Sequence, residues 1–336
     1  MAHFKEKYHT YKTLIEHRLA HCVTKSEPVS LYAPLKYILS GGGKRIRPML
    51  ILLSCEAVGG KARQALHAAV AIEIVHNFTL VHDDIMDHAA SRRGRPTVHI
   101  KWDENVAILV GDELVALAYR ELLKTQSPAI ARVVEIFTEG VVEVCEGQAY
   151  DKEFETQKNV SLNDYLLMIG KKTGKLVAVA SEIGAVVGGG TAAEIRALKS
   201  YGALLGRAFQ IQDDLLDVVA DEKEFGKTIG GDITEGKKTF LLIEAYRRAR
   251  GADKKLLRSI IMNHGAPLKT GKPQAQSTVC VADVREIYHR YGVIEEARRL
   301  ITRDTVNANR HLNMLKPSDA RAMLYGFSEL LLNRNY

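Results

Sequence analysis

Apolar residues recur at helical spacing along almost the whole chain, and no stretch shows the alternation of a half-buried strand. An apolar, glycine-free run from Ala68 to Val75 reads as a buried helix. The same periodicity predicts a charged amphipathic helix over 2–22. Beyond a linker at Ser26-Glu27-Pro28 comes a helix from about 30 to 39, then one over 48–57 with Pro48 in its first turn. Helix resumes at about 104, and further helices cover 192–219, 239–249, about 280–313 and about 317–333. The stretch 263–277, rich in Gly, Pro, Gln and Lys, reads as a mobile surface loop. An all-α protein is the expectation. No repeat of domain size and no low-complexity tract interrupts it, so a single domain over 1–336 fits.

Composition changes this picture little. At 46% hydrophobic and 26% charged, the chain is typical of a soluble globular protein. A net charge of +7 raises the question of nucleic acid, but the cations are interleaved with acids and Trp102 is the only tryptophan. No nucleic-acid partner is expected; a small polyanionic substrate explains the surplus equally well. Cys22, Cys55, Cys145 and Cys280 show no metal-binding spacing and read as reduced thiols of a cytoplasmic protein. The N-terminus lacks the apolar core of a signal peptide. No membrane span is expected, because the longest candidate, Leu176 to Val187, contains Glu182 and leads into three glycines.

Chemistry enters with His76-Asn77-Phe78-Thr79-Leu80-Val81-His82-Asp83-Asp84-Ile85-Met86-Asp87. On a helix Asp83 and Asp87 share a face, continued towards the N-terminus by Leu80 and His76. Carboxylates this close repel one another unless a cation sits between them. A single such cluster is readily a solvated helix end. The pattern returns, however, at Gln210-Ile211-Gln212-Asp213-Asp214-Leu215-Leu216-Asp217. Two clusters of hard oxygen donors point to Mg²⁺ bridging to a phosphorylated substrate.

Basic segments supply the complement. Ser40-Gly41-Gly42-Gly43-Lys44-Arg45-Ile46-Arg47-Pro48 places free amides and cations at a helix start, which suits an anion. Arg92 and Arg93 follow the first aspartate cluster and match phosphate oxygens in geometry. Gly147-Gln148 puts a small residue beside an amide on a packed helix, and Lys171-Lys172-Thr173-Gly174-Lys175 breaks a helix as if kinked towards a ligand. Lys227 and Lys237 lie in a Gly/Lys loop before the helix at 239–249.

This ordered set, from about 40 to 245, resembles the trans-isoprenyl diphosphate synthases. The resemblance implies a large helical bundle of the isoprenoid synthase type around a central cavity, a homodimer, and about three Mg²⁺ per active site. Catalysis would involve Asp83, Asp84, Asp87, Lys172, Thr173, Gln210 and Asp213, with Asp83, Asp87, Asp213, Asp214 and Asp217 as metal ligands. Lys44, Arg47, His76 and Arg93 would hold isopentenyl diphosphate. Arg92, Lys172, Thr173, Gln210, Lys227 and Lys237 would hold the allylic diphosphate. A terpene cyclase shares the fold but carries a different second metal motif, and a non-catalytic regulatory subunit should have lost ligands that this chain keeps.

Product length depends on the turns before Asp83. Thr79 is nearly in line with Asp83 and Phe78 lies round the flank, so geometry alone does not choose between them as a floor for the growing tail. The resemblance does: an aromatic at the fifth position before the motif, with a small residue at the fourth, is similar to archaeal-type geranylgeranyl diphosphate synthases. Condensation of isopentenyl diphosphate with dimethylallyl, geranyl and farnesyl diphosphates to geranylgeranyl diphosphate is the expectation, with a farnesyl diphosphate synthase as the alternative.

Overall fold

The helical periodicity is realised along the chain in a computed structural model that describes residues 2–220, 230–263 and 281–332. Helices α1 (Ala2–Ala20), α2 (Val29–Leu39) and α3 (Ile46–Ala57) come first. A 3₁₀ turn (Ala62–Ala65) leads into α4 (Leu66–Met86). A hairpin of β1 (Ser91–Arg92) and β2 (Arg95–Pro96) follows, then α5 (Val98–Lys101), α6 (Glu104–Leu122) and α7 (Ile130–Thr156). Next are α8 (Leu162–Ile169), a π-turn (Gly170–Gly174), α9 (Lys175–Val187) and α10 (Ala192–Val219). The remainder is α11 (Gly231–Glu235), α12 (Phe240–Arg248), α13 (Gly251–Asn263), α14 (Val281–Arg290), α15 (Val293–Leu312) and α16 (Asp319–Leu332).

These elements form two compact units. The first comprises Met1–Val141, Leu176–Ser200 and His311–Gly326. Its core is the unbroken apolar block Met49–Leu53 of α3, Ala68–Ile72 with Ile74 and Val75 of α4, and Ala107, Val110, Leu114 and Ala118 of α6, all without solvent exposure. Burying each of the larger side chains stabilises the fold by roughly 1.5–3 kcal/mol. A Cβ at Gly184 of α9 would stand 2.3 Å from the carbonyl oxygen of Ile51, so only glycine lets α9 approach α3 this closely. The helical segment 62–86 is also long and apolar enough to cross a membrane by length and composition, but 61% of its most apolar window is buried within the protein.

Two local features in this unit depart from expectation. α4 stops at Asp87, where His88 takes a left-handed φ of 49°. The Ala89 amide bonds the Asp84 carbonyl and the His88 amide bonds the Ile85 carbonyl, a Schellman ending built without glycine. The first aspartate cluster therefore rounds the end of its helix rather than lying along it. The hairpin, unexpected from periodicity, turns at Arg93 and Gly94 with φ of 53° and 72°, as a tight two-residue turn requires. Two-residue strands are too short to show alternation.

The second unit comprises Val142–Lys175, Tyr201–Arg310 and Phe327–Tyr336. Tyr165, Ile211, Leu215, Phe240, Tyr288 and Ile294 pack in its core. Ser161 and Asp164 cap the start of α8 reciprocally. The stretch expected as one helix over 280–313 is two, α14 and α15, separated at Gly292, whose φ of 65° ends the first. Most of the loop expected over 263–277 lies outside the described residues.

Candidate active site

In the first unit the Gly41–Arg47 loop folds on to α4. Gly42 and Gly43 have φ of 70° and 146°, and Arg45 itself is left-handed at 51°. Arg45 is buried and its Nη1 donates to Glu73 at 2.6 Å, which ties the loop to the middle of α4. The Tyr8 hydroxyl donates to the Lys44 carbonyl. From the hairpin, Arg93 reaches back to donate to the Gly42 carbonyl. A Cβ at Gly43 would lie 3.2 Å from its Nη1, so the loop has little room for a larger residue there.

His76, on α4, is the centre of this arrangement. Desolvation lowers its pKa well below the ordinary range, and the charges of Arg47, Arg93, Arg92 and Arg45 push it further down. The imidazole is thus neutral among nearby cations, and three of the residues singled out for isopentenyl diphosphate, Arg47, His76 and Arg93, are brought together. Sequence reasoning missed the support for this cluster. The Tyr37 hydroxyl donates to the Pro96 carbonyl at 2.8 Å, and its ring carries Arg95 at 3.8 Å and Lys101 at 4.1 Å, edge-on to Trp102 at 5.2 Å. This clasp fixes the hairpin that presents Arg92 and Arg93. An aromatic flanked by cations from distant segments leaves no motif in sequence.

The three aspartates of the first cluster differ. Asp84 is buried and accepts from Arg92 Nε at 2.7 Å. Burial raises its pKa even though Arg92 opposes the shift. Asp83 is part-buried and Asp87 exposed, at the end of the helix. Phe78 and Thr79 are part-exposed, and the Thr79 hydroxyl donates to the His76 carbonyl at 2.9 Å.

In the second unit the Lys-Thr-Gly break is the π-turn between α8 and α9, a device common at functional sites. A Cβ at Gly147 of α7 would stand 2.3 Å from the Lys172 amide nitrogen, so Gly147 exists to let α7 touch the turn. The turn presents Lys172, paired with Asp151 at 2.6 Å, and Thr173. The Thr173 hydroxyl donates to Gln210 Oε1 at 2.8 Å, and Gln210 Nε2 donates to Asp214 Oδ1 at 2.8 Å. The Tyr165 hydroxyl donates to the other Asp214 oxygen at 2.7 Å. Burial raises the Asp214 pKa well above its ordinary value, with Asp232 adding to the shift. Asp232, like Asp151 and Tyr165, was not singled out from sequence. Burial and then Asp217 push its carboxyl up to about 6. Asp217 is raised by burial too, and accepts from the Asp232 amide at 3.0 Å.

A cavity of about 120 Å³ is lined here by Asp151, Lys172, Thr173, Gln210, Asp232 and Lys237, with Asp214 beside them. Asp213 and Asp217 do not line it. Lys237 lies 2.8 Å from Glu235 and 3.7 Å from Asp232. Lys227 lies outside the described residues.

Among the described residues no three His, Cys, Asp or Glu side chains gather into a ready-made metal cage. The crowding of Asp214, Asp217 and Asp232, whose pKa values all rise, is the condition a divalent cation relieves.

The chain is similar to proteins already known. The sequence model of the polyprenyl synthetase family matches residues 28–275. A short chain isoprenyl diphosphate synthase from Methanothermobacter thermautotrophicus is 39% identical, over 97% of this chain and 97% of that protein. A geranylfarnesyl diphosphate synthase from Natronomonas pharaonis is 36% identical, over 92% of each. The crystal structure of geranylgeranyl pyrophosphate synthetase from Pyrococcus horikoshii superposes with a TM-score of 0.89 at 37% identity, covering 99% of this chain and 98% of that one.

Proposed function

The chain belongs to the polyprenyl synthetase family, and from that premise we propose that it is a trans-prenyltransferase that extends allylic diphosphates with isopentenyl diphosphate to geranylgeranyl diphosphate, releasing diphosphate. One observation carries the reading: Arg47, Arg93, Arg92 and Arg45 converge on a neutral His76 about two turns before an aspartate cluster. Cations gathered in this way need an anion, and the aspartates beside them need a metal.

Lys44, Arg47, His76 and Arg93 hold the diphosphate of isopentenyl diphosphate. Arg92, Lys172, Lys227 and Lys237 hold the allylic diphosphate, and Thr173 and Gln210 line the reacting carbons. Enzymes of this family are generally Mg²⁺-dependent. Asp83, Asp87, Asp213, Asp214 and Asp217 would serve as ligands to about three ions, and Asp214 would offer them only the lone pairs that Tyr165 and Gln210 leave to it. Bound Mg²⁺ supplies charge that stabilises the departing diphosphate. Lys172 adds a cation to the leaving group as the allylic C–O bond breaks. The double bond of isopentenyl diphosphate attacks the resulting carbocation to form the new C–C bond, and a proton passes from the adduct to the released diphosphate. Water must be excluded while the cation lives. Asp84, locked to Arg92, orients that arginine.

A homodimer, a cytoplasmic location and one functional domain over 1–336 complete the proposal. The family match to 28–275, which draws on residues of both units, supports the last of these. The test is incubation with isopentenyl diphosphate, each allylic primer and Mg²⁺, followed by product sizing. Failure to form any prenyl diphosphate longer than the primer would refute the activity. The geranylfarnesyl relative favours a second reading, a product of twenty-five carbons. The aromatic at Phe78 argues for twenty, and Phe78→Ala should then lengthen the product.

A further inference from the structure

The floor assigned to Phe78 is a side chain on one helix, and a lone part-exposed ring is free to swing unless something backs it. His82, the next residue along the same helical row, packs against it with ring centroids 4.8 Å apart and planes at 66°, an edge contact. His82 in turn is seated on α6. A Cβ at Gly111 would lie 2.0 Å from His82 Nε2, 2.5 Å from Cδ2 and 2.9 Å from Cε1. The ring tip therefore rests on the bare backbone of α6, and its Nε2 lies 3.5 Å from the Ile108 carbonyl one turn earlier. Any side chain at 111 would displace the imidazole that packs against Phe78. Nothing in the condensation chemistry uses His82 or Gly111, yet the imidazole contacts both the Phe78 ring and the α6 backbone.

We propose that His82, wedged into the Gly111 notch of α6, is a positioning residue for product length: it holds the Phe78 ring in place as the floor for the growing chain. This rests on the reading of Phe78 as that floor. Removing the imidazole leaves a space beside Phe78 into which the ring can turn, so a longer tail fits above it.

The experiment is a double-mutant cycle read by product sizing. Four enzymes are compared: the wild type, His82→Ala, Phe78→Ala and the double variant. His82→Asn serves as a second, milder truncation, and circular dichroism checks that each is folded. His82→Ala and His82→Asn should shift the main product up by at least one five-carbon unit, with turnover of isopentenyl diphosphate within about threefold of wild type. In the Phe78→Ala background, His82→Ala should add no further length. If Phe78→Ala lengthens the product and both folded His82 variants leave it unchanged, His82 is not a positioning residue and the floor stands alone. A product lengthened further in the double variant would overturn the proposal by making His82 a wall in its own right. Unchanged length in Phe78→Ala would remove the floor itself, and the proposal with it.

Discussion

A side chain's role is set here by which of its atoms are already engaged. Gln210 has its carbonyl taken by Thr173 and its amide by Asp214, so it acts as a strut that orients both neighbours. Asp84 accepts from Arg92 through Oδ1, and Asp83 and Asp87 lie at the C-terminal end of α4. The cationic residues differ in the same way. Arg47 borders the neutral His76, with Lys44 in the same loop, while Lys172 is presented by the π-turn beside Asp151. The two diphosphate sites should therefore separate kinetically. Lys44→Ala and Arg47→Ala should raise KM for isopentenyl diphosphate, and Lys172→Ala should raise KM for the allylic substrate. Losing one charge-assisted contact costs about 1.5–3 kcal/mol, roughly ten- to a hundredfold in binding. Initial rates with each substrate varied in turn decide this; an effect of Lys44→Ala confined to the allylic substrate would reverse the assignment.

Secondary-structure elements are held in register by contacts that no motif announces. Glu121, fully buried at the end of α6, accepts from Arg18 of α1 at 2.6 and 2.9 Å, from Lys124 at 2.8 Å, and meets His67 of α4 at 2.7 Å. Burial alone would raise its pKa, but these bonds outweigh burial and hold the carboxyl down at about 2. A depressed folded-state pKa means the clasp contributes fully above the ordinary glutamate value and is lost as pH falls towards 2. The difference is on the order of 3 kcal/mol. Glu121→Gln should lower Tm at pH 7, and thermal melts should show the gap to wild type narrowing below about pH 4.5. A gap independent of pH would mean the charge is not what matters. A second element-level test concerns the contact of α7 with the π-turn. Gly147→Ala must displace the backbone of Lys172, and a shift of an ångström there should cost on the order of a hundredfold in turnover. Gly170→Ala, with nothing within 4 Å of the added methyl, should be silent. The sequence made the helices and the kink at Lys172-Thr173-Gly174 legible, because periodicity and a mid-helix glycine are local signals. The π-turn itself, the hairpin and the Schellman ending at His88 were not, because each depends on a few backbone angles fixed by tertiary contacts.

Across the whole molecule, the residues that carry chemistry are those that work against stability. The duplicated aspartate pattern could be read from sequence because it is an ordered repetition of one residue type. Asp151, Asp232 and Tyr165 could not, since they belong to the site only through folding. Without a cation, Asp213 and Asp232 both press on the buried Asp214, and Asp217 on Asp232. This is strain of the kind kept at functional sites at the expense of the fold. Asp213→Ala removes one of these repulsions at a part-buried position. The metal-free variant should therefore melt no lower than wild type, while its turnover falls by several orders of magnitude. In the first unit, Asp83→Ala should lose turnover to a similar extent with its helical content intact. Adding Mg²⁺ should raise the Tm of the wild type more than that of either variant, because only a protein that binds the ion gains from it. Thermal melts with and without Mg²⁺, alongside product assays, check all three outcomes. A folded Asp83→Ala or Asp213→Ala enzyme with wild-type rates would remove the aspartates from the chemistry altogether.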